Sequence, residues 1–175
     1  MRLTWPVGTR DVFPIGIGGT SEDHELRQGT GQYAIDIPAT EGETVVACHD
    51  GMVRWSGVTN GPCGQMVEIQ WQAEGSAYLA RTCHHSAVLV LSGDFVTAGQ
   101  PIARVGDTGT VVGYPGDHVH FLIERDGVRL RPEDMDWGEA EAPQTTIDLQ
   151  RIVTALDAIW NVKCGLESIA AITRK

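Results

Sequence analysis

Two histidines two residues apart set the chemistry this sequence can do. In Asp117-His118-Val119-His120-Phe121-Leu122-Ile123 the residue types are those of a strand. Successive side chains of a strand point to opposite faces, so His118 and His120 share one face and Val119 and Phe121 the other. Two imidazoles placed this way can bind one metal ion, or one binds it while the other acts as acid or base. A pair of exposed strand histidines is the plainer alternative. Two further stretches add donors of the right type. Tyr33-Ala34-Ile35-Asp36-Ile37, closed by Pro38, puts Ala34 and Asp36 on one face of a short strand, and His84 ends the strand pattern that begins at Ala77. A hydrolytic zinc site needs three protein ligands and an open position for water. The metal brings the pKa of that water towards 7 and polarises the scissile carbonyl, while a neighbouring histidine takes the proton or steadies the oxyanion.

The elements that must position these groups are short strands separated by turn signals. Thr44–Cys48, Met52–Trp55, Met66–Trp71, Ala77–His84, Phe95-Val96, Ile102–Val105 and Val119–Glu124 follow one another with Asp-Gly and Gly-rich breaks between them. This spacing predicts an antiparallel, mainly β domain of sheet or sandwich type over residues 1–132. Residues 1–31 read as loop-rich, with Trp5-Pro6-Val7 as a short opening strand and Ser21–Glu25, which contains His24, as a surface loop. Glu133–Gln144 is acidic and reads as a linker, in which Trp137 is placed to cap the β domain. Leu149, Ile152, Val153, Leu156, Ile159 and Trp160 then recur at three- and four-residue intervals. That pattern predicts a C-terminal α-helical segment over 145–175, either packed on the β domain or pairing with another chain as a homo-oligomer.

Composition narrows the function classes. The 175 residues carry a formal net charge of −10, which argues against nucleic acid, a partner that rewards cationic side chains. No apolar run reaches the roughly 20 residues of a membrane span. Met1–Pro6 lacks the apolar core of a secretory signal, so the expectation is a chain made in the cytoplasm without a leader. Cys48, Cys63, Cys83 and Cys164 show no CxxC spacing, which argues against a zinc knuckle or redox motif and leaves their pairing open. His49 precedes an Asp-Gly turn and reads as a solvated loop residue. Asp94 and Asp107 read as turn formers.

In order, Asp36-Ile37-Pro38-Ala39, Gly42–Ala47, Asp50-Gly51-Met52-Val53, His84–Val90, Gly93-Asp94-Phe95-Val96, Gly99–Ala103, Gly106-Asp107-Thr108-Gly109 and His118-Val119-His120-Phe121 resemble the lysostaphin-type (LytM-like) zinc metalloendopeptidases, which cut peptide cross-links in bacterial cell walls. The resemblance covers about residues 30–125. It implies Zn2+ as the cofactor, Asp36 and His120 as zinc ligands, and His84 and His118 as the catalytic pair. The Gly93-Asp94 anchor sets the register that favours His84, with His85 as the lesser alternative.

Two residues depart from that pattern. The family's first histidine ligand, four residues before the aspartate, is here Gln32, whose uncharged amide oxygen is a poor zinc ligand. His24 is the candidate replacement, Gln32 itself is a second, and the absence of an intact zinc site is a third. Thr82 stands where the family usually has tyrosine, which is expected to alter substrate contacts. The resemblance thus implies an endopeptidase acting on peptidoglycan stems or cross-bridges; the lack of a signal peptide and of a wall-binding module gives a phage-type lysin or virion part as the expected setting. The alternative is a degenerate domain that keeps the fold as a structural or wall-binding module.

Overall fold

The computed structural model describes residues 1–12, 19–29, 31–111 and 117–138. The chain divides into the units Met1–Glu141 and Ala142–Lys175. The second unit lies outside the described residues, and with it the helix and the oligomer contact expected over 145–175.

The described residues are mainly β. Ten strands follow one short helix: α1 (Ser21–Gln28), β1 (Ile35–Pro38), β2 (Thr44–Val46), β3 (Gly51–Val58), β4 (Gln65–Ala73), β5 (Ser76–Cys83), β6 (Ala87–Val88), β7 (Phe95–Val96), β8 (Pro101–Arg104), β9 (His118–Arg125) and β10 (Val128–Leu130), then a 3-10 turn at Pro132–Asp134. Seven strands form one antiparallel sheet in the order β1-β9-β5-β4-β3-β7, with β10 also pairing β9. A second sheet, β2-β8-β6, has three strands.

Period-two patterning decides which face of the large sheet is dry. Ile35 and Ile37 of β1, Val119, Phe121 and Ile123 of β9, and Val67, Ile69 and Trp71 of β4 pack into one buried cluster with Val45, Ile102 and Ala103 of the small sheet. Each such side chain is worth about 1.5–3 kcal/mol in water-excluded area, so this cluster fixes the register. A one-residue slip would turn every member to the opposite face. Asp36, His118 and His120 interleave with it and are thereby fixed on the other face.

Two stretches differ from the expectations above. Ser21–Gln28 is a helix, not a surface loop. Thr20 caps it: its hydroxyl accepts the Asp23 N–H, while the Asp23 carboxylate accepts the Thr20 N–H, a reciprocal capping box. Residues beyond 132, read as linker, pack on the β domain as far as Gly138. Trp137 meets Trp5 edge-on at 4.8 Å and Phe121 at 5.5 Å, and Leu3 bridges to Trp137 in place of an opening strand at Trp5–Val7.

Cys63 and Cys83 are joined by a disulfide, and Cys48 is free and buried. That bond ties the loop after β3 to the end of β5. The same loop lies against the one at Thr108: Gly64 and Gly109 approach so closely that a Cβ on either would strike the other's backbone, and both have positive φ. No helix of the described residues is long and apolar enough to cross a membrane.

Candidate metal centre

The ladder between β1 and β9 brings two of the sequence's candidate ligands face to face. Asp36 is the direct register partner of His120, and the His120 Nδ1–H donates to Asp36 Oδ1 at 2.8 Å. Cys83 of β5 is the partner of His120 on its other side, which brings the following residue, His84, to the same corner. A buried sheet thus places one carboxylate and three imidazoles from segments more than 80 residues apart.

His24 arrives from α1. It is 2% exposed, its Nδ1–H donates to the Thr20 carbonyl at 2.9 Å, and its Nε2 lies 3.6 Å from Asp36 Oδ1. His118 Nε2 lies 3.8 Å from the same oxygen. Ligand atoms of His24, Asp36 and His120 all fall within 4.8 Å of one another, the group that could hold a metal ion among the described residues. The Gln32 N–H closes a turn on the Gly29 carbonyl. The set of two imidazoles and one carboxylate suits Zn2+. Holding the outer nitrogen of a ligand ring, as the Thr20 carbonyl does for His24, fixes its tautomer and aim.

His84 and His118 stand next to this trio. Their ring centroids are 4.8 Å apart, and His84 lies 5.9 Å from His120. The His84 Nδ1–H donates to the Thr108 carbonyl at 2.9 Å, which leaves Nε2 as the acceptor nitrogen. Its backbone φ is +70°, a region non-glycine residues visit rarely and often at functional sites. His85 turns away: it is fully buried and shares a hydrogen bond with Thr82 Oγ1 at 2.8 Å. Thr82, expected to touch substrate, therefore faces a buried histidine. His49 lies in the bend before Gly51 as expected, but it is half-buried and stacks on Trp71 at 4.8 Å. Asp94 accepts the Leu91 N–H within its turn, as its position before the strand suggests.

Charge follows from these contacts. Burial alone would raise the Asp36 carboxyl, yet the His120 hydrogen bond and the neighbouring His24 imidazole outweigh it and hold the group well below the usual carboxylate range. Burial pushes His120 down, with Asp36 pulling the other way. His84 is held down to about 4, first by burial and further by His118 and His120, although the Thr108 carbonyl opposes the shift. Near neutral pH the corner therefore holds an ionised carboxylate and a neutral His84.

The sequence profile of peptidase family M23 matches residues 30–132. The chain belongs to peptidase family M23. This is a family of zinc-dependent peptidases linked to peptidoglycan hydrolysis, and it is the lysostaphin-type family that the motifs resemble. The M23 domain here is 32% identical over 102 residues to the murein hydrolase activator NlpD of Salmonella dublin, a match covering 58% of this chain and 25% of that protein. It is 31% identical over 97 residues to lipoprotein NlpD of Yersinia enterocolitica, covering 55% of this chain and 93% of that one. In fold it matches a zinc-containing peptidase from Vibrio cholerae, with a TM-score of 0.61 at 24% identity, over 77% of this chain and 40% of that chain. The chain spans about a quarter of the length of the NlpD proteins it matches first.

These relatives overturn one expectation. A chain made in the cytoplasm without a leader, working as a phage-type lysin or virion part, is not what they point to: they are named as lipoproteins and murein hydrolase activators. The reading failed because it leaned on Met1–Pro6, whereas the match to the longer NlpD proteins covers only about a quarter of their length. The Cys63–Cys83 bond fits the correction, since disulfides persist in oxidising compartments outside the cytoplasm.

Proposed function

We propose that this M23 domain is a zinc-dependent endopeptidase that hydrolyses peptide bonds of peptidoglycan stems or cross-bridges. The observation that carries the reading is the convergence of His24, Asp36 and His120 within 4.8 Å, with His84 and His118 beside them. His24, Asp36 and His120 would hold the ion. Zinc in such a site supplies Lewis acidity, which acidifies a water and polarises the scissile carbonyl.

The remaining roles belong to the chain itself. His84, neutral at working pH with its Nδ1–H tied to Thr108, accepts a proton at Nε2 and returns it to the leaving amine. His118, packed on His84, donates to the oxygen that gains charge on the attacked carbonyl. The Thr108 carbonyl keeps the His84 ring from turning and thereby selects the tautomer. In the metal-free chain Asp36 stays ionised and orients the His120 ring.

A second reading is favoured by the NlpD relatives, named as activators of murein hydrolases and not as hydrolases. On that reading the domain keeps the sheet and its face as a binding module. One experiment separates the two. Purified protein is analysed for zinc and assayed for release of peptides from purified cell walls, with and without a chelator, beside His120→Ala. About one zinc per chain, with hydrolysis lost on chelation and in the variant, supports the peptidase. A metal-free chain that releases no peptides supports the module.

A further inference from the structure

His24 is the one proposed ligand that does not ride on the sheet, and α1 has little apolar surface to seat it. Its single large aliphatic residue, Leu26, is 78% exposed. The helix is held by polar contacts. At its N-terminal end the Ser21 N–H and the Ser21 hydroxyl both donate to the Glu133 carboxylate, at 2.8 and 2.5 Å. Ser21 is fully buried. One residue before the cap, the Gly19 carbonyl accepts the Asp36 N–H at 2.8 Å, tying the helix start to β1. At the other end the Glu25 carboxylate accepts from the Gly31 N–H, the Tyr33 hydroxyl and Arg131 Nη2, at 3.1, 3.2 and 3.2 Å. The Arg131 guanidinium also covers the Tyr33 ring at 4.6 Å.

Because the His24 ring is tied to the Thr20 carbonyl of its own helix, the position of Nε2 follows the position of α1. Glu133 sits in the 3-10 turn just after β10, and β10 pairs with β9, the strand of His120. Glu133 thus links the segment carrying one proposed ligand to the hairpin carrying another. We infer that Glu133 is a positioning residue for the metal centre: its carboxylate anchors Ser21 and so sets His24 against Asp36 and His120. The inference rests on the metal reading of the site given above.

The test uses the full chain. Zinc affinity is measured by competition with a chromophoric chelator, and the melting midpoint is measured separately on metal-free protein. Glu133→Ala removes both acceptors of Ser21 and weakens zinc binding about 10-fold, a loss of about 1.4 kcal/mol at the site. Glu133→Gln keeps one carbonyl acceptor and falls between it and wild type. Leu26→Ala, on the same helix but exposed, leaves affinity unchanged. The metal-free midpoint stays with wild type in all three, because α1 belongs to neither sheet, and activity at saturating zinc recovers. Affinity in Glu133→Ala within twofold of wild type overturns the assignment, as does a lowered metal-free midpoint with unaltered affinity. Should Glu133→Ala not fold, Glu133→Gln and Ser21→Ala decide on the same criteria. A wild-type chain that binds no zinc would sink the metal reading itself, whereas zinc bound equally well by wild type and variants sinks only the role of Glu133.

Discussion

The candidate metal centre draws on two kinds of scaffold. Asp36 and His120 face each other across a ladder whose opposite face is the hydrophobic core, so their spacing is set by the same packing that stabilises the domain. His24 comes from an eight-residue helix held by hydrogen bonds to side chains more than 100 residues away. The difference is one of coupling. Damage to the core disturbs the sheet first, and damage to α1 disturbs the site while leaving the sheet intact.

The sharpest way to break that comparison crosses the two regions. His24→Ala removes stoichiometric zinc and peptide release while the metal-free protein unfolds near the wild-type midpoint. Ile102→Ala, in the small sheet and 1% exposed, costs about 2–5 kcal/mol of stability yet leaves zinc affinity unchanged well below its lowered midpoint. Metal analysis and urea unfolding of both variants check this, and an Ile102→Ala chain that loses zinc while folded would show the regions to be coupled.

A smaller effect concerns pH. Burial holds His85 down to about 4, against an ordinary value of 6.5, with its Nε2 on Thr82 and its Nδ1 lacking a partner. The unfolded chain takes up a proton here as pH falls through 6.5, whereas the folded chain does so only near 4. The folded state therefore keeps its full stability above pH 6.5 and loses it progressively towards pH 4. Urea midpoints of metal-free protein across that window should decline, and His85→Leu should flatten part of the slope.

The smallest effect probes the helix alone. Thr20→Ala removes the capping hydroxyl at a cost of about 1 kcal/mol to α1, which at most weakens zinc binding about fivefold if the loss is passed wholly to the site. Chelator competition measures it, and the midpoint of the sheets should not move.

Much of the sheet and half of the centre were legible in the residues themselves. Alternation at His118–Ile123 and Ile35–Ile37 dictates which side chains share a face, and that periodicity survives folding because a register slip would expose the whole core. The helix was missed for a physical reason. Its sequence, SEDHELRQ, has no apolar stripe to show a helical period. The available signal was Thr20 followed three residues later by Asp23, a capping box with aspartate in place of the usual glutamate. The Cys63–Cys83 bond was illegible because its partners are 20 residues apart and meet only when β4 and β5 pair. Trp137 was legible as a cap, but not the 3-10 turn that carries Glu133 to Ser21.

Carrying one proposed donor on an appended helix would make a bound metal separable from the architecture. Substitutions confined to Ser21–Gln28, or to the two downstream side chains that grip it, would abolish the proposed catalysis while the two sheets and their exposed face persist. A single fold could then serve as an enzyme in one descendant and as a binding partner in another, the two differing by the loss of one imidazole.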